Sequence, residues 1–143
     1  MSAVSPYLWA IIVAWLASHV VKYLIALYKG KQLDFTHQLF ISGGMPSSHA
    51  ATSVAVWTVI LLKDGAQSGL FGLATLLALV VTYDAVKVRR SSGEQGEAIA
   101  QLIQAGKSDI RIPRAAKGHT PLEVLVGALF GSVIGFVVFL ATS

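Results

Sequence analysis

Residues 43–51 read GGMPSSHAA, which sets two glycines, a proline, two hydroxyls and a histidine against the start of an apolar helix. Such a set suits a bound anion. Gly43 and Gly44 let the backbone approach a ligand closely, and Pro46 suits a first helical turn. The amides that follow have no intrahelical acceptors and so favour negative charge. Ser47 and Ser48 add hydroxyl donors, and His49 adds a group that titrates near neutrality. The plainer alternative is an ordinary capped helix start.

A second polar run, GHTPLEVLVG at 118–127, opens another apolar segment. His119 and Glu123 are four apart, so in a helical first turn they share a face and the carboxylate bonds one imidazole nitrogen. That bond fixes the tautomer and raises the basicity of the other nitrogen, as nucleophilic catalysis by histidine requires. The alternative is an interfacial histidine beside an acid favoured by the helix dipole. It accounts for Glu123 but not for a histidine at two neighbouring helix starts. Lys22, Asp84 and the Arg89-Arg90 pair fall at the ends of apolar segments on the same side, while His19 reads as a hydrogen bonder in helix packing.

Membrane helices are the elements that must position these groups. The chain of 143 residues is 55% hydrophobic and 13% charged, with a mean hydropathy of +0.68, outside the range of soluble domains. Four apolar segments, 7–28, 47–62, 69–87 and 121–141, approach the length needed to cross about 30 Å of hydrocarbon at about 1.5 Å per residue. The expected fold is an all-α, polytopic four-helix membrane bundle forming one domain over 1–143, its first span retained rather than cleaved as a leader. Lys29, Lys31, Lys87, Arg89, Arg90, Lys107, Arg111, Arg114 and Lys117 lie on one side of the spans and Lys63 alone on the other. This asymmetry predicts a protein of the cytoplasmic membrane with both termini outside and the 29–46 and 88–120 connections in the cytoplasm. The basic pI of about 9.6 is then topology with some attraction for anionic headgroups, not a nucleic-acid surface. Cysteine is absent, which excludes thiol chemistry and disulfides.

The topology gathers Lys22, the PSSH run, Asp84 with Arg89-Arg90, and His119 with Glu123 at one membrane face. Taken together they resemble the type 2 phosphatidic acid phosphatase and vanadium haloperoxidase superfamily. PSSH at 46–49 is similar to its second signature, Pro-Ser-Gly-His, and GHTPLEVLVG to its third. The longer pattern of Lys22, GGMPSSHAA, YDAVKVRR followed by SSGEQ, and GHTPLEV resembles its divergent branch of small four-span proteins. The resemblance implies a metal-free, cofactor-free lipid phosphatase. His119 would attack phosphorus, Glu123 would hold its ring, and His49 would protonate the leaving oxygen and then activate water. Lys22, Ser47, Ser48, Arg89 or Arg90 and the amides around Gly44 would hold the non-bridging oxygens. The chain departs from the superfamily in four ways: no Arg-Pro follows Lys22, no Ser-Arg stands a few residues before His119, where Arg114 and Lys117 are nearer substitutes than Arg89 and Arg90, Ser48 stands for Gly, and Glu123 stands for Asp.

The polar 88–120 connection contains SSGEQGEAIAQLIQAG, which reads as an amphipathic cytoplasmic helix with Ile99, Leu102 and Ile103 on one face, able to lie on the membrane as a lid. Its carboxylates leave a second reading open, in which Asp84, Glu94 and Glu123 bind Mg²⁺ or Ca²⁺. A third reading is a non-catalytic lipid-binding scaffold. Expected substrates are phosphatidylglycerophosphate, phosphatidate or a polyprenyl phosphate. Gly127, Gly131 and Gly135 let a second helix approach closely, either within the bundle or in a homodimer.

Overall fold

The computed structural model describes residues 4–30, 44–106, 110–112 and 118–143. Its elements are α1 (Pro6–Tyr28), α2 (Ser48–Asp64), α3 (Gly69–Tyr83), a π-helical turn (Asp84–Val88), α4 (Arg89–Ala105) and α5 (Pro121–Thr142). Local chemistry sets their ends. Pro6 and Pro121 occupy first-turn positions, where the missing N–H costs nothing. The hydroxyls of Ser47, Ser68 and Thr120 cap α2, α3 and α5 by accepting the N–H groups of Ala50, Phe71 and Glu123. Gly65 ends α2 at φ 81°, a left-handed conformation that residues with a Cβ avoid.

Helix α2 is central, with α1, α3 and α5 packed around it. Its small residues Ala50, Ala51 and Ala55 are completely buried, and the α5 glycines lie against them. A Cβ on Gly127 would meet the Ser47 carbonyl, one on Gly131 the Ala51 carbonyl, and one on Gly135 the Ala55 carbonyl. Backbone-to-backbone approach of this kind supplies dispersion energy where lipid leaves little hydrophobic drive between helices. The glycine stripe is therefore taken up against α2 within the chain. Ala10 and Ala14 of α1 pack with Ala55 and Val59 of α2 and Val138 of α5. Helices α1 and α2 run antiparallel. The Tyr7 hydroxyl donates to Asp64 at one end (2.7 Å), and Lys22 reaches Ser48 at the other. Trp57 donates to the Thr75 hydroxyl at 2.9 Å and ties α2 to α3, which buries none of its own residues.

Among the described residues three helices are long and apolar enough to cross a membrane: Pro6–Tyr28, the continuous run Gly69–Ala105, and Pro121–Thr142. Helix α2, at 17 residues, is shorter. Two expectations are corrected. Pro46 lies outside the first turn of α2, before the Ser47 cap. The second is that the helix holding the third apolar segment does not end with it: it passes through the π turn into the polar α4 without a break.

Candidate active site

The N-termini of α2 and α5 meet. The Ser47 N–H donates to the Glu123 carbonyl at 3.2 Å, so the two histidine-bearing motifs are joined by their backbones. Two helix dipoles thus direct their positive ends to one region, which favours an anion. Lys22 comes in from the last turns of α1, its ammonium 3.5 Å from the Ser48 hydroxyl. Arg89 comes in from the end of the π turn.

His119 is buried, 3% exposed, and precedes α5 rather than sitting in its first turn. Two bonds fix it. Its N–H donates to the Ala85 carbonyl at 3.0 Å, and its Nδ1 lies 3.2 Å from Oε2 of Glu123. Glu123 reaches it as part of a capping box: its N–H bonds the Thr120 hydroxyl while its carboxylate accepts the Thr120 N–H at 3.0 Å. The expected His119–Glu123 pair therefore forms, but by a carboxylate folding back over the helix start and not by two residues sharing a helical face. An ionised carboxylate facing Nδ1 assigns the proton to that nitrogen and leaves the lone pair on Nε2.

Burial, and after it the Lys22 charge, hold the His119 imidazole below its ordinary value of 6.5; the Glu123 bond opposes them and the Arg89 charge adds to the lowering. The ring is accordingly neutral at pH 7, with a nucleophilic Nε2. His49, exposed in the first turn of α2, lies within electrostatic reach of His119, Lys22, Arg89 and Asp84.

The remaining candidates divide clearly. Arg89 pairs with Asp84 at 2.7 Å and acts on both histidines. Arg90 instead turns its side chain to Glu94 at 3.1 Å on the exposed surface of α4, so Arg89 is the arginine that the structure brings to the site. Ser48 faces Lys22, whereas Ser47 is completely buried with its hydroxyl on the Ala50 N–H. Ser47 is therefore a helix cap under Gly127, not a phosphate ligand. Gly44, at φ 82°, is exposed, and a Cβ there would meet nothing within 4 Å, so its backbone conformation rather than crowding requires glycine. Asp84, Glu94 and Glu123 each face a different partner, and no group of three or more carboxylates or histidines among the described residues is placed to hold a metal ion. His19 bonds the Trp15 carbonyl of its own helix at 2.8 Å. Gly43, Lys107, Arg114 and Lys117 lie outside the described residues.

One functional element had no sequence signal: the π turn. In an α-helix the Arg89 N–H would bond the Ala85 carbonyl; here it reaches back to Asp84, and the Ala85 carbonyl instead accepts the His119 N–H. Gly118 makes the approach possible, because a Cβ there would strike the Arg90 backbone.

The model of the Divergent PAP2 family matches residues 4–134, most of the chain and all of these site residues. The chain belongs to this family. It is also 32% identical over 135 aligned residues to the uncharacterized membrane protein YuiD of Bacillus subtilis (strain 168), in a match covering 84% of this chain and 85% of the relative. No solved structure matches the chain significantly. Family, relative and the three apolar helices together identify an integral membrane protein.

Proposed function

We propose that the chain is a lipid phosphatase that hydrolyses a phosphomonoester or pyrophosphate headgroup through a phosphohistidine. The observation that carries this reading is the buried, neutral His119, its Nδ1 on Glu123, set beside Lys22, His49 and Arg89. In the first step the Nε2 lone pair of His119 bonds to phosphorus as the bond to the leaving oxygen breaks, and His49 donates its proton to that oxygen. In the second, His49 takes a proton from water as its oxygen attacks the phosphohistidine, which releases phosphate and restores the ring. Lys22, the Ser48 hydroxyl, Arg89 and the first amides of α2 neutralise charge on the non-bridging oxygens.

Two histidines favour turnover over simple binding, because a site built only to hold phosphate does better with arginine. The reading includes four spans with α2 as the short one, both termini outside, α4 at the cytoplasmic surface and the site facing the cytoplasm, as the placement of basic residues supports. Newly made phosphatidate, phosphatidylglycerophosphate or polyprenyl phosphates would meet such a site. The test is phosphate release from these lipids by purified protein, with and without EDTA, beside His119→Ala. Turnover that resists EDTA and disappears in the variant is expected. Turnover that survives His119→Ala overturns the phosphohistidine, and EDTA-sensitive turnover moves the chemistry to the carboxylates.

A further inference from the structure

A groove of about 670 Å³ runs beside the site, between the end of α3 with its π turn and the start of α5. Leu79, Val80, Val86 and Val124 give it apolar walls, and Asp84 and Lys87 of the π turn stand in its lining. Three links join it to the catalytic residues. Asp84 pairs with Arg89, Val124 follows Glu123 in the first turn of α5, and Val86 follows Ala85, whose carbonyl holds His119. Leu79 and Val80 are 63% and 56% exposed on a helix that buries nothing of its own, so the groove is open along the side that faces lipid.

We propose that this groove is a binding site for one hydrocarbon chain of the phosphorylated lipid whose headgroup sits at His119. The inference rests on the lipid phosphatase reading and adds the route by which substrate enters. Withdrawing a chain from the bilayer into water is unfavourable in proportion to its length, so a lipid reaches a buried phosphate site from the side, with its chain kept against apolar surface. The groove meets that need: its surface is almost wholly apolar, its Asp84 is the residue paired with Arg89, and its volume falls in the range of ordinary ligand pockets. No comparable path is needed for a small soluble phosphate ester.

The test pairs turnover with binding. Leu79→Trp, which narrows the groove away from the catalytic groups, is expected to lower kcat/KM for a long-chain phosphatidate at least tenfold while leaving a short-chain, water-soluble phosphatidate within twofold. Equal losses for both substrates, or none for either, overturn the groove. The second arm needs no turnover. Phosphatidate carrying a diazirine on its acyl chain, in phosphatidylcholine vesicles, is expected to label Leu79, Val80, Val86 and Val124 several-fold more than phosphatidylcholine with the same chain, and Arg89→Gln is expected to abolish that preference. Equal labelling by the two lipids along all helices overturns the proposal even if the protein proves an active phosphatase. Headgroup-dependent labelling without turnover supports the groove while the phosphatase reading falls.

Discussion

Replacing Glu123 with glutamine separates two tasks that one carboxylate performs. Its Oε2 both accepts the Thr120 N–H, closing the capping box, and faces Nδ1 of His119 at 3.2 Å. Glutamine at this helix position still supplies an acceptor for the cap, so the fold should lose little. It brings no negative charge, however, and attack by Nε2 on phosphorus makes the ring positive. A hydrogen bond to a charged group is worth about 1.5–3 kcal/mol, which corresponds to roughly a 10- to 150-fold fall in kcat. KM should stay within about twofold, because Glu123 touches the ring and not the substrate. Glu123→Ala should show the same kinetic loss and, in addition, lose about 1 kcal/mol of stability with the cap. The assay is phosphate release against substrate concentration for both variants, with thermal unfolding in detergent and a pH profile of kcat/KM. Because Glu123 raises the His119 value, the acid limb of the glutamine variant should move to lower pH. A glutamine variant with wild-type kcat, or with an unmoved acid limb, would refute the assignment of Glu123 as the group that orients and charges the nucleophile.

The other predictions use the same structure. In the proposed mechanism the unprotonated His119 attacks, so activity should be retained above its pKa and lost as pH falls through it; with that pKa held down, the acid limb of kcat/KM should lie below 6.5. Lys22→Met removes a charge that lowers the His119 value, so its acid limb should shift upward, opposite to the glutamine variant, together with roughly a 10- to 150-fold loss in kcat/KM from the phosphate clamp. A downward shift would place Lys22 elsewhere. Gly131→Ala pushes a Cβ into the Ala51 carbonyl and should cost about 1–3 kcal/mol of stability, read as a lower thermal midpoint. Gly72→Ala on α3, where a Cβ meets nothing within 4 Å, should be neutral or up to about 1 kcal/mol stabilising. Equal effects of the two alanines would argue against the α2–α5 contact.

Much of this site is written in local chemistry. Apart from the third, which runs on into α4, the helices begin and end within a few residues of the apolar segments, because hydropathy, first-turn prolines and cap hydroxyls each act over four residues or fewer. His49, His119, Glu123 and Lys22 are visible as polar, titratable residues set at the ends of otherwise apolar segments. Their order along the chain carried the family resemblance before any geometry was known.

Tertiary structure decided which of the flanking groups lie beside the histidines. The π turn widens the helix after Asp84 and rotates everything downstream relative to an unbroken α-helix, where one residue corresponds to about 100°. In that phase Arg89 pairs with Asp84 within electrostatic reach of the histidines and Arg90 faces Glu94, which no count of spacings could tell. The same turn makes the Ala85 carbonyl the anchor for His119. The glycine stripe of α5 likewise states only that something packs closely; that α2 is the partner, and that Ser47 is consumed as a buried cap in the process, follows from how the helices meet. Composition and periodicity fix what each segment is, because they are properties of neighbours in the chain. Which carbonyl is released, which cation turns inward and which hydroxyl stays open depend on helical phase and on contacts between segments far apart in sequence, and these exist only once the bundle has closed.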